Sequence, residues 1–153
     1  MKKAYLLLAS VLLLAAVAVA GNNFSGTWVF NASKSDQTQA GSGAGGNLTI
    51  LRTGTLLTIS RTWNKGENTV DTSYTMDGAE HTNRTQAGDT KYKAVLSGDS
   101  VHITGTTSSQ SGDQPVDTTY ALSDDGKILT VTNVNLGQNG TTARKQVYDK
   151  RDF

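Results

Sequence analysis

The chain has 153 residues, a single proline and no cysteine, with 14 Lys and Arg against 13 Asp and Glu. Charge this evenly balanced leaves no electrostatic footprint for nucleic acid or an anionic membrane surface. The lack of cysteine excludes disulfides, thiolate metal sites and acylation of an N-terminal cysteine.

Residues 1–20 open with Lys2 and Lys3, run apolar from Ala4 to Ala20 with Ser10 as the only interruption, and end Ala18-Val19-Ala20. A basic start, an apolar middle and small residues at the end form a secretory signal peptide, with cleavage expected before Gly21. Removing it leaves residues 21–153 as one domain, with 12 Lys and Arg against 13 Asp and Glu. Gly21 stands where a lipoprotein would carry its acylated Cys, so the expected location is the periplasm or the medium, without a lipid anchor. No later stretch approaches the about 20 apolar residues of a membrane span. Five Asn-x-Ser/Thr sequons (Asn23, Asn31, Asn47, Asn83, Asn139) are a mild excess in a chain this rich in Asn, Ser and Thr.

The 22 Thr residues of the domain favour pleated strands over helices. The first expected strand is Phe24–Phe30, with Phe24, Gly26, Trp28 and Phe30 on one face. Residues Asn31–Gly46 carry no strand pattern and end in a Gly-rich run. They read either as a lid over a cavity mouth or as a flexible connector, with a short helical turn near Ser33–Gln37. Nine more strands are expected: Asn47–Thr53, Thr55–Trp63, Glu67–Asp77, Ala79–Gln86, Thr90–Ser97, Asp99–Ser108, Pro115–Ser123, Lys127–Val134 and Thr141–Lys150. Between them stand the turn pairs Thr53-Gly54, Lys65-Gly66, Asp77-Gly78, Gly88-Asp89, Gly98-Asp99, Gly112-Asp113, Asp125-Gly126 and Asn139-Gly140, spaced 10 to 14 residues apart. Gly beside Asp or Asn supplies the positive φ of a strand reversal, and this rhythm belongs to an antiparallel meander. The expected fold is therefore all-β, an up-and-down antiparallel barrel or clam of eight to ten strands.

Alternation assigns Leu57, Ile59, Arg61 and Trp63 to one face, Val70, Thr72, Tyr74 and Met76 to another, and Val116, Thr118, Tyr120 and Leu122 to a third. These faces are apolar but broken by Thr, Tyr and Arg. Two readings stand: the wall of a partly hydrated cavity, or a small core with snorkelling polar tips.

The two ends of the domain carry a resemblance. Phe24-Ser-Gly-Thr-Trp28 opens it, and Arg144-Lys-Gln-Val-Tyr-Asp-Lys150 lies on the last strand. This pair resembles the ends of the calycin superfamily, the lipocalins and fatty-acid-binding proteins, and of small exported bacterial lipocalin-like domains. The resemblance implies a lipocalin-like barrel in which Gly26 and Trp28 sit on the first strand and a basic residue of the last strand, Arg144, packs over the Trp as a structural closure. It also implies a carboxylate clamp of Arg-x-Tyr on the last strand. Here the family's Arg falls on Gln146, with Tyr148 in register and Arg144 two residues upstream on the same face.

Catalytic chemistry is sparse. His81 and His102 are far apart and neither has ligand spacing to a second His, Asp or Glu, no Gly-x-Ser-x-Gly elbow occurs, and Asp124-Asp125-Gly126 lacks the remaining ligands of a calcium loop. No metal and no cofactor is expected, and the chain reads as a binding protein rather than an enzyme. If the polar face of the last strand turns inward, Arg144, Gln146 and Tyr148 would meet an anionic head group, with Trp63, Tyr74 and Tyr120 lining the same cavity. The opposite register would put Ala143 and Val147 inside. The function expected is thus an exported, non-enzymatic binder of a small hydrophobic or amphipathic ligand. The alternative is an envelope or extracellular interaction module with a side-chain-filled barrel. Oligomeric state leaves no signal in the sequence.

Overall fold

The computed structural model describes residues 23–36, 46–63, 66–85, 88–137 and 140–151. Residues 1–20, expected to be a signal peptide, and most of the Gly-rich connector lie outside the described residues. Ten strands follow in chain order: β1 (Gly26–Phe30), β2 (Asn47–Thr53), β3 (Leu56–Trp63), β4 (Asn68–Thr75), β5 (Asp77–Thr85), β6 (Gly88–Ser97), β7 (Ser100–Ser109), β8 (Gly112–Leu122), β9 (Ile128–Gly137) and β10 (Gly140–Lys150). All belong to one antiparallel sheet in the order β4-β3-β2-β1-β10-β9-β8-β7-β6-β5. First and last strands pair in the middle of that order, Trp28 opposite Lys150 and Phe30 opposite Tyr148. The sheet curls into a nearly closed barrel whose only break lies between β4 and β5.

The register follows from the turns. Gly54, at φ +59°, closes a two-residue reversal that sets Thr53 opposite Leu56. Counting back along the ladder puts Ile50 opposite Ile59 and Leu48 opposite Arg61. Opposed residues share a face, so Leu48, Ile50, Leu57 and Ile59 all turn inward and are buried. Val101 and Ile103 on β7, Tyr120 and Leu122 on β8, and Leu129 and Val131 on β9 complete the same core. Each fully buried aliphatic side chain contributes about 1.5–3 kcal/mol. Closure into a barrel also leaves few strand edges exposed.

Two expectations are corrected. Asp77-Gly78 is not a hairpin turn: it opens β5 as a bulge, with Asp77 opposite Val95 and the register shifted before Glu80. Strands β4 and β5 are joined through Met76 yet share no ladder, and side chains stitch the gap instead. The Asn83 amide donates to the Ser73 carbonyl at 2.8 Å, and the Thr75 amide donates to the Tyr92 hydroxyl at 3.1 Å. The Tyr74 and Tyr92 rings meet edge to face at 5.0 Å across the same seam. Secondly, β8 begins at Gly112, before the expected Pro115. Proline fits because that part of β8 pairs with β7 alone, the β9 ladder starting only at Thr118.

The start of the connector is anchored to β10. Asn31 caps a single 3-10 turn at Ala32–Lys34, one residue ahead of the expected helical turn. Ser35 is buried, and its hydroxyl accepts from the Val147 amide at 2.8 Å. Asp36 then exchanges two hydrogen bonds with the Lys145 backbone.

Candidate functional site

One pole of the barrel is plugged. Trp28 is 0% exposed, and its indole N–H donates to the Phe24 carbonyl at 2.9 Å. The Lys150 ammonium lies 5.2 Å from the centre of the Trp28 ring, a cation–π contact linking first and last strands. Gly26 leaves room for it: a Cβ there would meet the Lys150 stem at 3.0 Å, on backbone already at φ +143°. The closure expected of Arg144 therefore falls to Lys150. The physical reason is register. Lys150 stands directly opposite Trp28, while Arg144 lies six residues away, about 20 Å along the strand, opposite Asn133 and exposed to solvent.

Beyond this plug and the buried core, the barrel leaves a half-open cavity of about 270 Å³. Trp63, Tyr74 and Tyr120 line it, together with Ile59, Val70 and Thr72 from β3 and β4. Thr118 and Asn133 close the far wall, joined by a 2.8 Å hydrogen bond. The remaining lining residue is Arg61, which had no functional assignment from sequence. It occupies the inward slot of β3 between Ile59 and Trp63, held there by its register partners Leu48 and Val70.

Arg61 organises the polar chemistry of the interior. Its guanidinium donates to the Tyr148 hydroxyl at 3.4 Å, and that hydroxyl donates onward to the Gln146 side-chain carbonyl at 3.4 Å. Its charge also acts on the Tyr120 hydroxyl. Burial pushes the Tyr120 hydroxyl well above the ordinary tyrosine range, against the pull of Arg61. Burial raises Tyr74 and Tyr148 as well, again partly offset by Arg61. All three phenols stay neutral, so each keeps a proton to donate. Gln146, 7% exposed, and Tyr148 are buried beside the cavity, whereas Arg144 is not part of its lining. Val147, which competed with them for the inside, is also buried, under Ser35 of the anchored connector.

Several titratable groups outside the cavity are paired locally. His81 pairs with Asp77 and His102 with Asp117, each at 2.9 Å. The Asp125 carboxylate accepts from Ser123 and from the Lys127 amide of its own turn, which holds its pKa below the usual carboxylate value. Among the described residues no three His, Cys, Asp or Glu gather as a metal-binding group. No described helix is long and apolar enough to cross a membrane.

No protein-family model matches the chain, and no curated protein sequence does. Solved structures do. A REP1-NXSQ fatty acid transporter superposes with a TM-score of 0.59 at 14% identity, covering 84% of this chain and 96% of its own. Secretory abundant heat soluble protein 4 from Ramazzottius varieornatus gives 0.62 at 20% identity, over 86% and 97% of the two chains. Zebrafish ileal bile acid-binding protein, solved with cholic acid, gives 0.61 at 16% identity, over 84% and 98%. Identity this low carries the fold and nothing finer, and with the ten-stranded, nearly closed antiparallel sheet it makes the chain a calycin-like barrel.

Proposed function

We propose that the protein is a non-enzymatic carrier or sensor of a small hydrophobic or amphipathic molecule. It is exported by residues 1–20 to the periplasm or the medium and works there without a lipid anchor. One observation carries the reading: side chains do not fill the barrel completely but leave a half-open pocket of about 270 Å³ walled by Trp63, Tyr74 and Tyr120. Its volume lies close to the lower end of ligand pockets, about 300 Å³, and an apolar wall with a few convergent polar groups is the usual construction of such sites. A filled barrel serving only as an interaction module has no need of that space. Support also comes from two of the similar structures, one described as a fatty acid transporter and one solved with cholic acid. The interior offers no nucleophile–base pair, and its titratable groups are one guanidinium and neutral phenols, which serve recognition better than proton transfer.

Native mass spectrometry of the protein purified from its own host tests both halves. The expected mass is that of a chain starting at Gly21 plus a co-purifying small molecule. A chain that still carries residues 1–20 would refute export, and an empty barrel that takes up nothing from a host extract would refute the carrier.

A further inference from the structure

We propose that the cavity takes a compact organic anion with a flat apolar body, an aromatic monocarboxylate in chemical class, seated with its carboxylate on Arg61. The inference rests on the carrier reading and narrows it through charge, volume and shape.

Charge comes first. Among the described residues, Arg61 is the only ionised group lining the cavity, and none of those lining it is acidic. Among the described residues its guanidinium hydrogen-bonds the Tyr148 phenol oxygen and forms no ion pair with a carboxylate. A phenol oxygen satisfies an N–H without neutralising the charge, so a cation in a partly desolvated interior remains uncompensated. A carboxylate would supply both the charge and the planar two-oxygen edge that a guanidinium fork matches. The neutral hydroxyl of Tyr120, which lines the cavity, adds an O–H donor that an anion can use.

Volume comes second. At the packing density of protein interiors, about 270 Å³ accommodates roughly ten to fifteen non-hydrogen atoms. That suffices for a carboxylate on a one- or two-ring body, whereas much of a long acyl chain or a steroid nucleus would protrude through the open side. Shape is third. Three of the nine lining residues, Trp63, Tyr74 and Tyr120, present aromatic rings, and rings prefer an aromatic guest in offset or edge-to-face contact.

Isothermal titration of the mature protein with 2-naphthoate, its neutral amide 2-naphthamide, and palmitate tests the proposal. Naphthoate should bind at least about tenfold tighter than naphthamide, and palmitate should bind more weakly than naphthoate. Arg61→Gln should erase the acid–amide difference and Arg61→Lys should retain part of it, with melting curves confirming that both variants fold. Should Arg61→Gln fail to fold, the acid–amide comparison on the unsubstituted protein decides alone. Equal affinity for acid and amide would overturn the anion assignment. Palmitate binding with naphthoate silent would overturn the size argument and leave the carrier standing. Silence from all three, together with an empty barrel in native mass spectrometry, would remove the carrier reading itself.

Discussion

Two cations of this barrel, Lys150 and Arg61, hold aromatic side chains, and the two contacts have different purposes. At the plugged pole, Lys150 covers Trp28, a ring with no solvent exposure whose N–H is already satisfied by Phe24. Trp28→Ala removes a large buried aromatic and should cost about 3–5 kcal/mol, a large share of a small domain's stability. Lys150→Ala should cost about 1 kcal/mol through the lost cation–π contact and stem packing, and Arg144→Ala should leave the melting temperature unchanged. A double-mutant cycle between Trp28 and Lys150 should show coupling, because the two residues share one contact. Additive effects there, or a destabilised Arg144→Ala, would return the closure to Arg144. In the cavity, by contrast, Arg61 holds the Tyr148 phenol through a hydrogen bond and keeps its charge available.

How far such roles were legible differs from residue to residue. Trp63, Tyr74 and Tyr120 stand out in the sequence as aromatics at alternate positions of strands, and they do line one cavity. Arg61 stands at an equally regular position, but a charge in an inward slot reads the same whether it points into a cavity or snorkels past a rim. What separates the cases is the ladder of β3 with β2 and β4, which no local pattern encodes. The exchange of Arg144 for Lys150 has the same origin. Which basic residue of the last strand meets Trp28 is a question of register between the two ends of the chain, and local spacing is silent on it.

At the level of strands, number and order were readable because Gly-based turns punctuate alternating segments at regular intervals. The seam between β4 and β5 was not. Asp77-Gly78 has the composition of a hairpin turn, and the residues that replace the missing ladder, Asn83 and Tyr92, lie on other segments. They act through side chains whose partners are visible only in three dimensions. Tyr92→Phe withdraws the acceptor of the Thr75 amide and should lower stability by about 1 kcal/mol. Amide exchange checks the mechanism: the Thr75 N–H should exchange faster in the variant while the β2–β3 ladder keeps its protection. Uniform loss of protection around the barrel would mean that the seam has no local weakness.

On the scale of the molecule, the hydrogen-bonded order places the chain's two ends at the centre of the sheet and its middle at the two edges. The covalent link at Met76 spans the one place where adjacent strands share no ladder, whereas the strands that begin and end the fold are joined by backbone pairing and by the Arg151 amide donating to the Thr27 carbonyl at 2.9 Å. Topologically the barrel is a ribbon already cut, and the cut does not coincide with the chain's own ends. A circular permutant that joins Arg151 to Asn23 through a short Gly-Ser linker and opens at Met76 should therefore fold to the same barrel. Its ten strands would then run through the sheet in uninterrupted sequence order, every neighbouring pair adjacent along the chain. The long-range β1–β10 pairing becomes a local hairpin, so the permutant should also refold faster than the natural order. Stopped-flow refolding of the two connectivities measures the difference, and a permutant that refolds no faster would mean that joining the ends is not the slow step.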